Sequence, residues 1–232
     1  MQRFLHSKGP FLAFSRQHFS VMIGTILAAV LLPLAAVYRW DEAQRLFVSR
    51  GMGALLCLSI FAWMLLRFWE GKFDRKTDLP LDICNLMALG VPFLMWHPSQ
   101  TTYEILYFLI LVGTLQAILT PHLEEQFPHY TFFKYWLVHS GLVIYIIYVT
   151  AAFELRPNTE SILRAFIAIQ VYAITIFLIN KQLDSNYFYM MRKPPSPTLL
   201  DYFGPWPWYI FVAEFIVLLL SGLVYLPIWL LG

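Results

Sequence analysis

The chain has 232 residues, of which 59% are hydrophobic, 18% aromatic and only 13% charged, with a formal net charge of +2 at pH 7. An ordinary soluble domain carries about 25% charged residues, so the composition argues against a soluble globular protein, and the small net charge against a nucleic-acid binder. Two cysteines, Cys57 and Cys84, both lie in apolar runs, which is not a disulfide framework.

A helix that spans a bilayer needs roughly 20 mainly apolar residues. Seven segments meet that requirement: 19–38, 51–69, 80–97, 102–120, 131–153, 161–180 and 207–231. The expected fold is an all-α integral membrane protein, a bundle of about seven transmembrane helices. Residues 1–18 are polar and basic with a few aromatics and read as a cytoplasmic or interfacial segment. The first apolar run is long for a signal sequence and has no convincing cleavage site, so it is read as an uncleaved helix. Residues 19–232 then form a single seven-helix domain, with no soluble domain and no clear repeat. If the N-terminus is cytoplasmic, eleven Lys and Arg, among them Arg3, Lys8 and Lys134, fall on the inside. Only Arg39, Arg45, Arg50, Arg156 and Arg164 fall outside. The positive-inside rule therefore places the N-terminus in the cytoplasm and the C-terminus outside.

This orientation gives each polar residue a side. Helix 3 opens with "LPLDICN", putting Asp82, Cys84 and Asn85 in its first cytoplasmic turns. Helix 4 returns and ends with Gln116 and Thr120, four apart and so on one face. The loop "PHLEEQFPHY" supplies His122 and His129, and His139 of helix 5 follows at about 13 Å of helix past Tyr130, at 1.5 Å per residue. Asn180 closes helix 6. The last inner loop brings Asn186, Arg192 and Lys193, and Glu214 lies two turns into helix 7. A carboxylate at a helix centre costs about 2.5–3.5 kcal/mol even on lenient insertion scales. A shared polar cavity at the cytoplasmic end accounts for so many polar groups at similar depth; separate residues snorkelling to water is the alternative.

Cys57 sits among aliphatics in "ALLCLSIF" and reads as a packing residue. Cys84 differs. Pro80 marks an expected first turn of helix 3, near the unpaired N–H groups and positive dipole end that favour a thiolate and can hold an oxyanion. Asn85 adds an amide donor, and Asp82 is better suited to orient a histidine or meet a headgroup than to activate the thiol. His139 is at a matching depth and is a candidate base, or simply a packed interhelical residue. His122, His129 and His139, with Glu124 and Glu125, offer zinc-ligand chemistry, although their spacing matches no compact signature. Arg192 and Lys193 either contact lipid phosphate or only enforce topology. The H-x4-D of soluble-facing acyltransferases, the G-x-S-x-G elbow, the Walker loop and the Rossmann glycines are all missing.

Three ordered segments, "LPLDICN", "QAILTPHLEEQFPHYTFFKYWLVHSG" and "NYFYMMRKPPSPTLLDYFGPWPWY", resemble the YwaF-type integral membrane proteins, which are similar to the vertebrate transmembrane protein 164 family. The resemblance implies a membrane lipid acyltransferase. It would move a fatty acyl chain from a phospholipid donor to a lysophospholipid acceptor at the cytoplasmic leaflet, without a cofactor or a metal. By motif position the catalytic pair falls on Cys84, which would carry a thioester, and on His139. Two other outcomes stay open: a lipid ester hydrolase, using the same pair or zinc, and a non-enzymatic transporter or lipid-binding protein using the same cavity.

Overall fold

The structure is a computed structural model that describes residues 2–5, 9, 11–194 and 198–231. Lys8 and the side chain of Arg3, both counted for orientation, and residues 195–197 of the proline-rich loop lie outside the described residues.

Among the described residues seven helices dominate the fold: α1 (Arg16–Arg39), α2 (Glu42–Trp69), α3 (Ile83–Leu94), α4 (Gln100–Leu119), α5 (Tyr130–Ala152), α6 (Thr159–Leu183) and α7 (Trp208–Leu231). Among the described residues there is no strand. Six of the helices are long and apolar enough to cross a membrane, so the chain is a multi-pass helical membrane protein. Several starts have a side-chain cap. Ser15 accepts from His18 N–H, Asp41 and Gln44 form a capping box, and so do Asn158 and Ser161. Each satisfies N–H groups that a helix cannot pair internally.

The first helix starts at Arg16 rather than near residue 19, because Ser15 caps it. The segment before it folds back on the bundle: Phe11 is buried against Phe132 and Trp136, and Phe4 lies against Tyr130 and Phe133.

α5 is the central helix. Its membrane window is 56% buried, against 11–22% for α1, α2, α6 and α7. Polar contacts tie it to its neighbours. Thr25 of α1 donates to Ser140, Ser49 of α2 pairs with Tyr145, and Tyr103 of α4 pairs with Thr150. Gly141 lets α2 approach closely, since a Cβ there would stand 2.7 Å from Leu56 Cδ2.

Two departures from regular helix position the site. α3 has only 12 residues, about 18 Å at 1.5 Å per residue, and cannot cross a hydrocarbon core of roughly 30 Å alone. Pro80 precedes it instead of opening it. The segment 71–82 ahead of it is irregular: residues 71, 72 and 74–77 are exposed, and residues 78–82 are held by protein. Arg67 pairs with Asp78 at 2.8 Å, Tyr187 Oη accepts from Leu79 N–H at 3.0 Å, and Tyr172 Oη donates to the Leu81 carbonyl at 2.8 Å. The two tyrosine contacts pair backbone groups that have no helical partner. The second departure lies in α4, where Leu109–Thr114 is a π-helical segment. A π insertion shifts the register of the following residues around the helix, and here buried Thr114 pairs with a residue of α3.

Candidate active-site cavity

The starts of α3, α5 and α7, the end of α4, the middle of α6 and the loop after it enclose a cavity of about 540 Å³. Cys84 and His139 both line it. So do Asp82, Asn85, His122 and Glu214, six of the residues singled out in the sequence.

Cys84 is the second residue of α3. Asp82, at the N-cap, makes no side-chain cap bond; its Oδ1 accepts instead from Phe188 N–H at 3.1 Å. The first-turn N–H groups of α3 therefore lack a capping side chain and remain available for negative charge. The Cys84 thiol and the Thr114 hydroxyl are 3.6 Å apart, their hydrogen-bond contact within the cavity wall. His139 Nδ1 lies 2.7 Å from the Tyr135 carbonyl. A carbonyl only accepts, so Nδ1 carries the proton and Nε2 is the basic nitrogen. Among the described residues no hydrogen bond joins Cys84 to His139, although both line the same cavity.

Lys134 completes the polar wall. Its Nζ donates to Asn85 Oδ1 at 2.7 Å and stands 4.8 Å from the centre of the Trp63 ring. The carboxylates of Asp82 and Asp78 lie within electrostatic range. Asn85 thus presents its carbonyl to a cation. Gln170 of α6 also lines the cavity, and its Nε2 is buried without a hydrogen-bond partner. An orphan amide donor of this kind costs about 1–3 kcal/mol.

The other sequence candidates fall elsewhere. Gln116 borders a neighbouring cavity and donates to the Val112 carbonyl of its own helix, while Thr120 is exposed and donates to the Gln116 carbonyl. His129 is buried outside the cavity; its Nδ1 caps α5 by accepting from Thr131 N–H at 3.2 Å. Burial holds its imidazole below the ordinary histidine range. Asn180 knots the loop after α6, bonding Tyr187 N–H, the Tyr187 carbonyl and the Ser185 hydroxyl. Asn186 does the same further along, for Met191 and Arg192 N–H. Arg192 is exposed, and Lys193 lies over Tyr209. Among the described residues, no three of His, Cys, Asp and Glu come together as a metal-holding group.

Sequence reasoning misses Lys134, Thr114 and Gln170. Lys134 reads there only as a topological charge, although a lysine within a spanning helix demands partners. Gln170 stands alone in the apolar run "AFIAIQVYAI", a signal open to reading. Thr114 needs the π segment.

The arrangement is that of a multi-pass helical membrane protein with a thiol, an imidazole and an ammonium gathered in one cavity among its helices. The chain belongs to the TMEM164 family, whose model matches residues 13–225. This agrees with the transmembrane protein 164 part of the resemblance and extends it over α1 and α2; the YwaF-type name is not part of the match. No curated protein and no solved structure matches the chain.

Proposed function

We propose that the protein is a membrane lipid acyltransferase that works through a thioester on Cys84. The observation that carries this reading is the position of Cys84. It lies at the uncapped N-terminal turn of α3, in the same cavity as a histidine whose Nε2 is left basic. A buried structural cysteine needs neither feature, and Cys57, buried in α2 away from the cavity, has neither.

The donor ester enters between the two side chains. Cys84 Sγ attacks its carbonyl carbon while the thiol proton passes to His139 Nε2, so the imidazole becomes imidazolium. The oxyanion is stabilised by the first-turn N–H groups of α3 and by Gln170 Nε2. Collapse breaks the ester C–O bond; the leaving lysophospholipid oxygen takes the proton back from His139, and the acyl group stays on sulfur. The hydroxyl of an acceptor lysophospholipid then gives its proton to His139 and attacks the thioester. A new ester forms, and the sulfur recovers its proton. Lys134 places a positive charge beside the thiolate and within reach of a lipid phosphate, held there by Asn85. The positive-inside count turns the cavity toward the cytoplasmic leaflet.

The test is transfer of an isotope-labelled acyl chain from phosphatidylcholine to lysophosphatidylethanolamine in liposomes, read by lipid mass spectrometry. Wild type and Cys57→Ala should transfer the chain. Cys84→Ala and His139→Ala should lose at least about a hundredfold, the lower range of acid–base contributions. Transfer that survives Cys84→Ala overturns the proposal.

A further inference from the structure

A second cavity of about 210 Å³ adjoins the first, between the π segment of α4, α6 and α7. The two share Ile83, Gly113, Phe166, Ile169, Phe188 and Val217 as lining residues, so they are neighbouring compartments behind one wall. The second compartment also touches Ile162, near the start of α6, and Phe108 and Leu109 of α4. It therefore runs from the Cys84 end of the bundle toward the opposite membrane face.

The polarity of the two compartments differs in a directed way. In the first, Gln170 Nε2 is a buried donor with no partner. In the second, the polar side chains are Gln116 and Ser221, and both direct a donor to carbonyls of their own helices, Val112 and Val217. The other described side chains that line it are apolar. One end of this double cavity asks for a hydrogen-bond acceptor, and the other asks for nothing but apolar volume.

We propose that the second cavity is the acyl-chain site and that Gly113 sets the chain length it admits. This rests on the proposed acyl chemistry at Cys84, with the ester carbonyl near Gln170 and the tail passing Ile83 and Gly113. A methylene fills a volume close to that of a water molecule, ~30 Å³, so the compartment holds roughly seven methylenes beyond those in the first cavity. Gly113 is suited to the passage because it lines both cavities and a Cβ there would meet nothing within 4 Å, which leaves room for a larger side chain. The helix keeps this gap because the π segment sets Gly113 on the cavity wall while Thr114 pairs with the thiol.

The experiment is native mass spectrometry of the purified full chain with an equimolar mixture of decanoyl, myristoyl and stearoyl lysophosphatidylcholine. Wild type should retain the stearoyl lipid over the decanoyl. Gly113→Leu should cut that ratio by about tenfold or more, the effect of roughly two methylenes denied burial. Ser221→Leu, entering from α7 on the opposite wall, should shift it the same way. Gly24→Leu, a control glycine in α1 whose added side chain also meets open space, should leave it unchanged. Gly113→Ala, a smaller step into the same space, and Ser221→Leu keep the test decisive if Gly113→Leu does not fold. An unshifted ratio in all cavity variants overturns the acyl-chain site and leaves the Cys84 chemistry standing. Absence of length-dependent binding in wild type overturns it too. A shifted ratio in a protein that transfers no acyl chain upholds the site and removes the reaction.

Discussion

Gly141→Ala is a sharp test of how α5, and with it His139, is held. The added Cβ would stand 2.7 Å from Leu56 Cδ2, about 1 Å inside the ~3.5–4.0 Å of an ordinary carbon contact. Leu56 is 2% exposed, so its methyl has little room to retreat and α2 must move away from α5. Overpacking of this kind costs about 1–3 kcal/mol. Leu56→Ala alone removes buried methyls and costs about 2–5 kcal/mol, but it also removes the atom that the new methyl at position 141 would strike. The double variant should therefore be no less stable than Leu56→Ala, giving a favourable coupling of about 1–3 kcal/mol. The assay is reversible unfolding in mixed micelles followed by tryptophan fluorescence, run as a double-mutant cycle. Because His139 is two residues away, the single variant should also lose acyl transfer and the double variant should recover part of it. Costs that add within about 0.5 kcal/mol would refute the claimed contact.

Three further outcomes follow from the site and its flanks. Lys134→Gln should keep a donor to Asn85 but lose the charge, lowering transfer by about 10- to 100-fold, the worth of a charge-assisted bond; Lys134→Arg should retain more activity, and equal rates in liposome assays would contradict the role given to the charge. Gln170→Leu removes the orphan donor and should raise stability by about 1–3 kcal/mol in the same unfolding assay while transfer falls; a loss of both would mean that the amide has a structural partner. His129 has a folded-state pKa below its unfolded value, because burial disfavours the imidazolium. Its contribution is therefore complete above the unfolded pKa of about 6.5 and is lost as pH falls through the lower folded value. Protonation also removes the acceptor that caps α5. His129→Asn, which caps without titrating, should flatten that acid sensitivity in unfolding scans, by about the 1 kcal/mol of an N-cap.

Much of this fold is legible in the sequence because lipid imposes simple rules. Apolar runs of spanning length mark the helices, but α2 begins at Glu42, not at 51, because Asp41 and Gln44 cap a polar first stretch, and α6 begins at Thr159, capped by Asn158 and Ser161. Cys84, His139 and Glu214, all read as lying toward one end of the bundle, do line one cavity. What sequence cannot supply is direction around a helix whose period changes. The four-residue spacing of Gln116 and Thr120 puts them on one face, but the π segment ahead of them brings Gly113 and Thr114 to the site instead. Polar residues near helix ends are a second blind spot, because backbone groups there compete for them. His129, Asn180 and Asn186 look like cavity residues and are used as caps and loop ties. Lys134 shows the reverse error, a charge read as a topology signal that lies at the centre of the polar wall.

The central claim is a covalent acyl group on Cys84, and the intact mass of the protein after incubation with mixed phospholipids tests it most directly. Wild type should carry an adduct of acyl mass that hydroxylamine removes, Cys57→Ala should keep it, and His139→Ala, which lacks the base of both half-reactions, should form it more slowly. Cys84→Ala should abolish it. An adduct that persists without Cys84, or none in any variant while labelled lipid is still transferred, would contradict the account.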